Sequence, residues 1–200
     1  MKWLAVVFLF FSVGVSATPV YRAGQATSPA TRWLHGEISG GYTFTNQSLQ
    51  DYLGQFSSAS LRGWNVRALW SPLAWLAAGA EYTRLAEVSL SPALVDGYTL
   101  FRTGAVVKLT LSPNTNPRFY LLGGYGRSTH RLAFTSGTPA YKKAQNYWKA
   151  ALGAEVAVYK SIFAAAEGEI LWYETASLHT LYQLSSRMET ALQVRAGIRF

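Results

Sequence analysis

From Met188 to Phe200 the chain alternates between two kinds of side chain. Met188, Thr190, Leu192, Val194, Ala196, Ile198 and Phe200 form one set, while Glu189, Ala191, Gln193, Arg195, Gly197 and Arg199 form the other. A period of two over a dozen residues belongs to a β-strand with one face in an apolar medium and the other in a polar one. A half-buried strand of a soluble sandwich shows the same pattern. The length here, and the aromatic residue at its end, match a strand that crosses a bilayer at a tilt in about 9–11 residues.

The pattern recurs upstream. Between Leu34 and Phe44, Leu34, Ile38, Tyr42 and Phe44 oppose His35, Glu37, Ser39 and Thr43. Trp64, Val66, Ala68 and Trp70 oppose Asn65 and Arg67, and Leu76, Ala78, Ala80 and Tyr82 oppose Glu81 and Thr83. Phe101, Ala105, Val107, Leu109 and Leu111 oppose Arg102, Gly104, Lys108 and Thr110. Residues 118–127 are glycine-rich and leave their faces open. Trp148 to Val158 and Ala164 to Trp172 resume the alternation, with Lys149, Gly153, Glu155, Glu167 and Glu169 on the polar face. With the terminal segment this makes eight. An even count brings the C-terminus back to the side on which the first strand begins. Links 71–75, 112–117 and 159–162 are short, with turn residues Pro72, Asn114 and Pro117, whereas 46–60, 84–97, 127–147 and 175–187 are longer and more polar. The expected fold is an all-β, eight-stranded antiparallel up-and-down transmembrane β-barrel over residues 33–200, its short turns periplasmic and its long loops outside.

Aromatic residues fall near both ends of these segments, as amphipathic rings at two water–lipid interfaces do: Trp70, Trp75 and Phe200 at one end, Trp64, Tyr82, Phe101, Trp148 and Trp172 nearer the other. At the start of the chain, Lys2, the apolar run Leu4 to Val13 and the small residues Val15-Ser16-Ala17 read as a signal peptide over 1–17. That run is well short of the roughly 20 residues of a spanning helix. Residues 18–32 then form a periplasmic N-terminal extension. With Lys2 removed, 17 basic and 10 acidic residues leave a charge of +7, which suits anionic lipid or lipopolysaccharide; export argues against nucleic acid. There is no cysteine, hence no disulfide framework and no thiolate site.

The polar faces carry six basic residues, Arg67, Arg102, Lys108, Lys149, Arg195 and Arg199, and six acidic ones, Glu37, Glu81, Glu155, Glu167, Glu169 and Glu189. Eight strands enclose a space that side chains fill, so these charges are expected inside the barrel as a paired network. Strand register suggests Glu37 with Arg67 or Arg199, and Glu167 with Arg195. An acid–base role for Glu167 and Glu169 is set aside, because an enclosed interior admits no polymeric substrate.

The last strand, ALQVRAGIRF, resembles the C-terminal assembly signal of small outer-membrane barrels, with Val194, Ala196, Ile198 and Phe200 as its apolar row. Over about residues 33–200 the chain resembles the eight-stranded barrels related to the outer-membrane protein A transmembrane domain and to opacity-type surface antigens. That resemblance implies insertion by the barrel assembly machinery, outer-membrane lipid and lipopolysaccharide as surroundings, and a structural or surface-interaction role with an unidentified external ligand. Some similar barrels modify lipid A, and a narrow solute or ion pathway is a third reading. Lipid A deacylases carry a His-x-Ser motif; this chain reads Ser128-Thr129-His130, reversed and near an expected loop, and His35 and His179 lie elsewhere. No catalytic residue, cofactor or metal is therefore assigned. Arg127, Arg131, Lys142 and Lys143, in a stretch without acidic residues, are candidates for contact with lipopolysaccharide phosphates. Gly123-Gly124-Tyr125-Gly126 has no helix pattern after it, so it is read as strand glycine rather than as a phosphate cradle.

Overall fold

The computed structural model describes residues 35–51, 53–54, 56–91, 95–134, 140–179 and 182–200. The signal peptide expected over 1–17, the extension over 18–32 and the first two barrel residues lie outside them. The strands are β1 (His35–Asp51), β2 (Phe56–Leu73), β3 (Leu76–Ser91), β4 (Val95–Thr110), β5 (Arg118–Phe134), β6 (Tyr141–Tyr159), β7 (Ile162–Tyr173), the three-residue β8 (Tyr182–Leu184) and β9 (Met188–Arg199). Each long strand pairs antiparallel with its neighbours, and β9 closes on β1 through pairs such as Ile38↔Ile198. The result is a closed, up-and-down barrel of eight long strands, with β8 added to the far end of β1. Closure leaves the membrane-height backbone paired, as a lipid environment demands.

The outward faces carry a wide apolar band. On β7 the row from Ile162 through Ala164, Ala166, Gly168 and Ile170 to Trp172 faces outward. Ten residues of rise give about 33 Å along the strand, or roughly 25 Å of height at a typical tilt, which is the depth of a transmembrane barrel's apolar belt. Trp70, Trp75 and Phe200 are exposed near the end with the short turns, and Trp64, Trp148 and Trp172 are exposed at the opposite edge of the band. The first will be called the turn end and the second the loop end.

Six strands run past the loop-end aromatics, which corrects three expected loops. Much of 46–60, 84–97 and 127–147 is strand, and the connections shrink to residues 52–55, 92–94 and 135–140. The physical reason is that the alternation continues with its polarity reversed. Within the band, inward positions include a polar set (Ser39, Thr43, Asn65, Arg67, Thr83) beside one small apolar cluster around Leu69, Val106 and Leu122, and outward ones are apolar. Beyond it, Leu49, Leu61, Leu85, Leu100 and Leu132 point inward and are buried, while Asn46, Ser48, Arg62, Arg84 and Arg131 are exposed. Lipid outside selects the first arrangement and water outside the second.

The segment 175–187 is corrected too. It folds over the loop-end mouth: Ser177 bridges Gln183, β8 pairs with Leu49, Gln50 and Asp51, and Leu178, Tyr182 and Leu184 bury themselves in the barrel. They pack with Leu49, Leu61, Leu85, Leu100, Leu132, Leu171 and three tyrosines, Tyr98, Tyr147 and Tyr173, into an apolar plug.

Candidate functional site in the lumen and on the outer wall

The six cations and six carboxylates expected from the sequence to face inward sort into three tiers, each electrically balanced. Nearest the turn end, Lys108 Nζ lies 2.9 Å from Glu37 and 2.7 Å from Glu155, while Arg199 reaches Glu155 at 2.5 Å and Glu37 at 3.5 Å. In the middle, Arg67 donates through Nη1 and Nη2 to both oxygens of Glu167 at 2.8 Å and through Nε to Glu81 at 2.7 Å. Lys149 bridges Glu81 (2.5 Å) and Glu169 (2.6 Å), and Arg195 reaches Glu81 at 2.7 Å. Toward the loop end, Arg102 pairs with Glu189, whose other contacts are Thr45, Gln47 and Tyr173. Eleven of the twelve residues are buried and Arg199 is half-buried. Neutral tiers are what desolvation requires, since an unmatched charge in such an interior costs several kcal/mol or more.

The pairings differ from those expected from register. Glu37 meets Arg199 as expected but chiefly Lys108, Glu167 meets Arg67, and Arg195 meets Glu81. Glu167 stands opposite Gln193 on β9, two positions from Arg195. In so narrow a barrel long side chains bond straight across the lumen, β2 to β7 and β1 to β4, which neighbouring-strand register cannot reveal. Tyr120 adds a bridge of its own, donating to Glu167 at 2.9 Å. Its ring lies over Gly153, where any added Cβ would stand 2.2 Å from it.

Glu81, Glu167 and Glu169 each present an oxygen within 4.8 Å of the others, a spacing a cation could use. Arg67, Lys149 and Arg195 already occupy those oxygens, so the cluster carries its own counter-charges.

His130 lies on β5 facing the lumen, not in a loop, and is 1% exposed. Gln145 Nε2 donates to its Nε2 at 2.9 Å, which makes that nitrogen an acceptor, and the Ser128 hydroxyl lies 3.1 Å from the same atom. Its Nδ1 is 2.6 Å from the Tyr98 hydroxyl, which in turn bonds Gln47. Serine, histidine and an orienting hydroxyl are thus in relay order, but Ser128 is 0% exposed beneath the plug. A nucleophile must reach its substrate. The relay instead ties β4, β5, β6 and β1 together, and Gln47 carries it on to Glu189 of β9.

On the outside, Arg127 and Arg131 of β5 and Lys142 of β6 are exposed. All three are strand residues rather than loop residues. Lys143 departs from the group: it pairs across strands with the inward His130 and is half-buried on the lumen face. Two arginines not singled out from the sequence join the outer set, Arg62 of β2 and Arg84 of β3. Arg62, Arg84 and Arg127 each stand one outward position beyond a band aromatic, Trp64, Tyr82 and Tyr125 respectively, about 7 Å further toward the loop end. The Arg84 guanidinium lies 5.7 Å from the centre of the Phe101 ring. The signal that could have found them was the alternation itself, since both continue the outward row of an aromatic. The five form a basic belt over β2–β6, and Glu174 is the one exposed carboxylate among the residues whose exposure is described. The twelve charges of the three tiers cancel one another, so they contribute nothing to the formal excess of +8.

No family model matches the sequence, and no curated protein is significantly similar to it. The fold, by contrast, is shared with solved small outer-membrane barrels. Neisserial surface protein A superposes with a TM-score of 0.62 at 14% identity, over 84% of this chain and 97% of that one. Ail, the attachment invasion locus protein of Yersinia pestis, gives 0.55 at 14% identity, over 84% and 99%. Ail in complex with the heparin analogue sucrose octasulfate gives 0.55 at 15% identity.

Proposed function

We propose that this chain, whose fold is that of small eight-stranded outer-membrane barrels, is an integral outer-membrane surface protein that binds anionic groups of the outer leaflet through its basic belt and performs no catalysis. The observation that carries this reading is the placement of Arg62, Arg84 and Arg127 directly beyond the loop-end aromatics, with Arg131 and Lys142 two outward positions further out. Aromatic rings mark the edge of the hydrocarbon, so the next outward position falls at headgroup level, where lipopolysaccharide presents phosphates. Guanidinium groups bind phosphate through paired, charge-assisted hydrogen bonds. That Ail was solved in complex with the heparin analogue sucrose octasulfate supports anion recognition by a barrel of this fold.

The remaining roles follow from the same orientation. Short turns face the periplasm, and the loop-end rim with its lid is presented outside as an interaction surface. The outward row Val194, Ala196, Ile198 and Phe200, all exposed, is available to the barrel assembly machinery. Residues 1–17 direct export and are removed. The filled lumen disfavours a solute pathway, and the sealed Ser128–His130 pair disfavours lipid A modification.

The test uses the full barrel in nanodiscs titrated with bis-phosphorylated and dephosphorylated lipid A. Reversing Arg84, Arg127, Arg131 and Lys142 to Glu should abolish the preference for the phosphorylated form, and the wild-type preference should weaken steeply with salt. Equal retention of both lipids by the wild type would overturn the reading. Lipid A recovered from cells that overproduce the protein should keep its mass; a changed acyl pattern would reinstate the enzyme.

A further inference from the structure

The backbone ladder of the barrel is interrupted between β1 and β9. Their ladder ends at the pair Thr45↔Ala191, and pairing with β1 resumes only at Leu49↔Leu184 of β8. Across that gap β1 contributes three residues, 46–48, whereas the opposing chain contributes six, 185–190. The unequal lengths force the backbones apart, and Ser185 crosses only at the rim, donating to the Ser48 carbonyl at 2.9 Å. A cavity of about 220 Å³ fills the opening. It is lined by outward-facing Asn46, Ser48 and Thr190 and, on its inner side, by lumen-facing Gln47, Tyr173 and Glu189, where Thr45 and Gln47 bond Glu189 across the gap. Phe44 and Leu192 are the last outward pair below it, which sets it at the upper edge of the apolar band.

Its chemistry is neutral and rich in hydrogen-bonding groups. Asn46 spends its carbonyl oxygen on Ser60 at 2.8 Å, leaving the amide donors for the cavity side. The hydroxyls of Ser48 and Thr190 make no side-chain bond among the described residues, and both side chains are exposed. Glu189 is held by Arg102, Thr45, Gln47 and Tyr173, so no carboxylate oxygen is left over for a metal ion. Arg62 of the belt stands one strand away, opposite Phe44, and exposed Arg187 belongs to the opposing segment, but neither arginine lines the cavity. Beside the hydroxyl groups, Met188 and Trp172 pair across β9 and β7 and turn apolar surface outward. Donors and acceptors on one side with an aromatic ring and a thioether on the other match a ligand that has a hydroxyl edge and an apolar C–H face.

We propose that this window is a binding site for a single saccharide ring, from the sugar headgroup of an outer-leaflet glycolipid or from a soluble saccharide. No residue of the basic belt lines the site, and the ring is held without phosphate.

Amide NMR of the full barrel in nanodiscs tests it, with four probes: chitobiose, bis-phosphorylated lipid A, the same lipid dephosphorylated, and inorganic phosphate. Saturable shifts at residues 46–48 and 185–190 are expected with both glycolipids alike. Chitobiose adds the same shifts if the ring is read from solution, and leaves the spectrum unchanged if membrane anchoring is needed; either supports a saccharide site and identifies its source. Thr190→Val removes one hydrogen-bonding group and should weaken binding about tenfold. Ser48→Trp should fill the window and abolish the shifts, and heat-modifiable migration on gels shows that each variant is folded. Charge reversal of the belt should leave the window's shifts in place. Absence of shifts with every saccharide, shifts with inorganic phosphate, loss of binding on dephosphorylation, or unchanged affinity in a folded Thr190→Val would each overturn the proposal.

Discussion

Arg67 engages Glu81 and both oxygens of Glu167 and lies 4.0 Å from Glu169, so it compensates more buried negative charge than any other side chain of the middle tier. Arg67→Ala would leave three carboxylates facing Lys149 and Arg195 alone. Breaking a desolvated pair by removing one partner costs about 3–5 kcal/mol, and the midpoint of denaturant unfolding in micelles should fall accordingly. Lys142→Ala, on the exposed outer face, should change stability by no more than about 0.5 kcal/mol. Comparable midpoints for the two variants would mean that the tier is solvated. Arg195 tests the geometry further: a double-mutant cycle with Glu81, its 2.7 Å partner, should show clear coupling, and one with Glu167 much less.

Two elements decide how the barrel closes. At the seam, Phe200 exchanges backbone hydrogen bonds with Gly36 at 2.8 and 3.0 Å, and its ring covers Gly36 so closely that an added Cβ would stand 2.4 Å away. Deleting Phe200 removes the last rung of the β9–β1 ladder and the end of the outward apolar row. Surface levels and the heat-modifiable fraction should both drop; unchanged values would show that neither closure nor assembly depends on it. At the mouth, β8 holds only three ladder pairs, so the lid depends on Leu178, Tyr182 and Leu184 being buried. Leu178→Asp places a carboxylate in the plug at a cost of at least the ~2–5 kcal/mol of a lost core leucine. Hydrogen exchange should then speed up in residues 175–187 while β2–β6 stay protected, because the lid can open without the barrel. Exchange that accelerates evenly over all strands would instead make the plug part of one cooperative unit.

For the whole molecule, orientation is the property on which the belt and the window both rest. Cysteines placed at Ser58 and Ser177, both exposed at the loop end, should react with an impermeant thiol reagent on intact cells, and one at Asn114 in a short turn only after the outer membrane is breached. The opposite pattern would invert the topology and move the belt to the periplasmic leaflet. The even strand number and the closed sheet leave no third arrangement, since all four loop-end connections lie on one side.

Strand identity, the eight-strand count, the inward set of charges and the outward apolar rows were legible because side-chain alternation is a local property: a period of two assigns each residue a face without knowledge of its neighbours in space. The strand ends were misread where the polarity of that alternation reverses, at Leu49, Leu61, Leu85, Leu100 and Leu132, because a pattern sought as apolar-outside ends where water replaces lipid. The three neutral tiers, the union of Ser128 with His130, Tyr98 and Gln47, the folded lid and the opening beside Thr190 were decided by tertiary structure alone. Each depends on which side chains meet across a closed lumen and on where two ladders of unequal length run out, and both are fixed only by the curvature and register of the finished barrel.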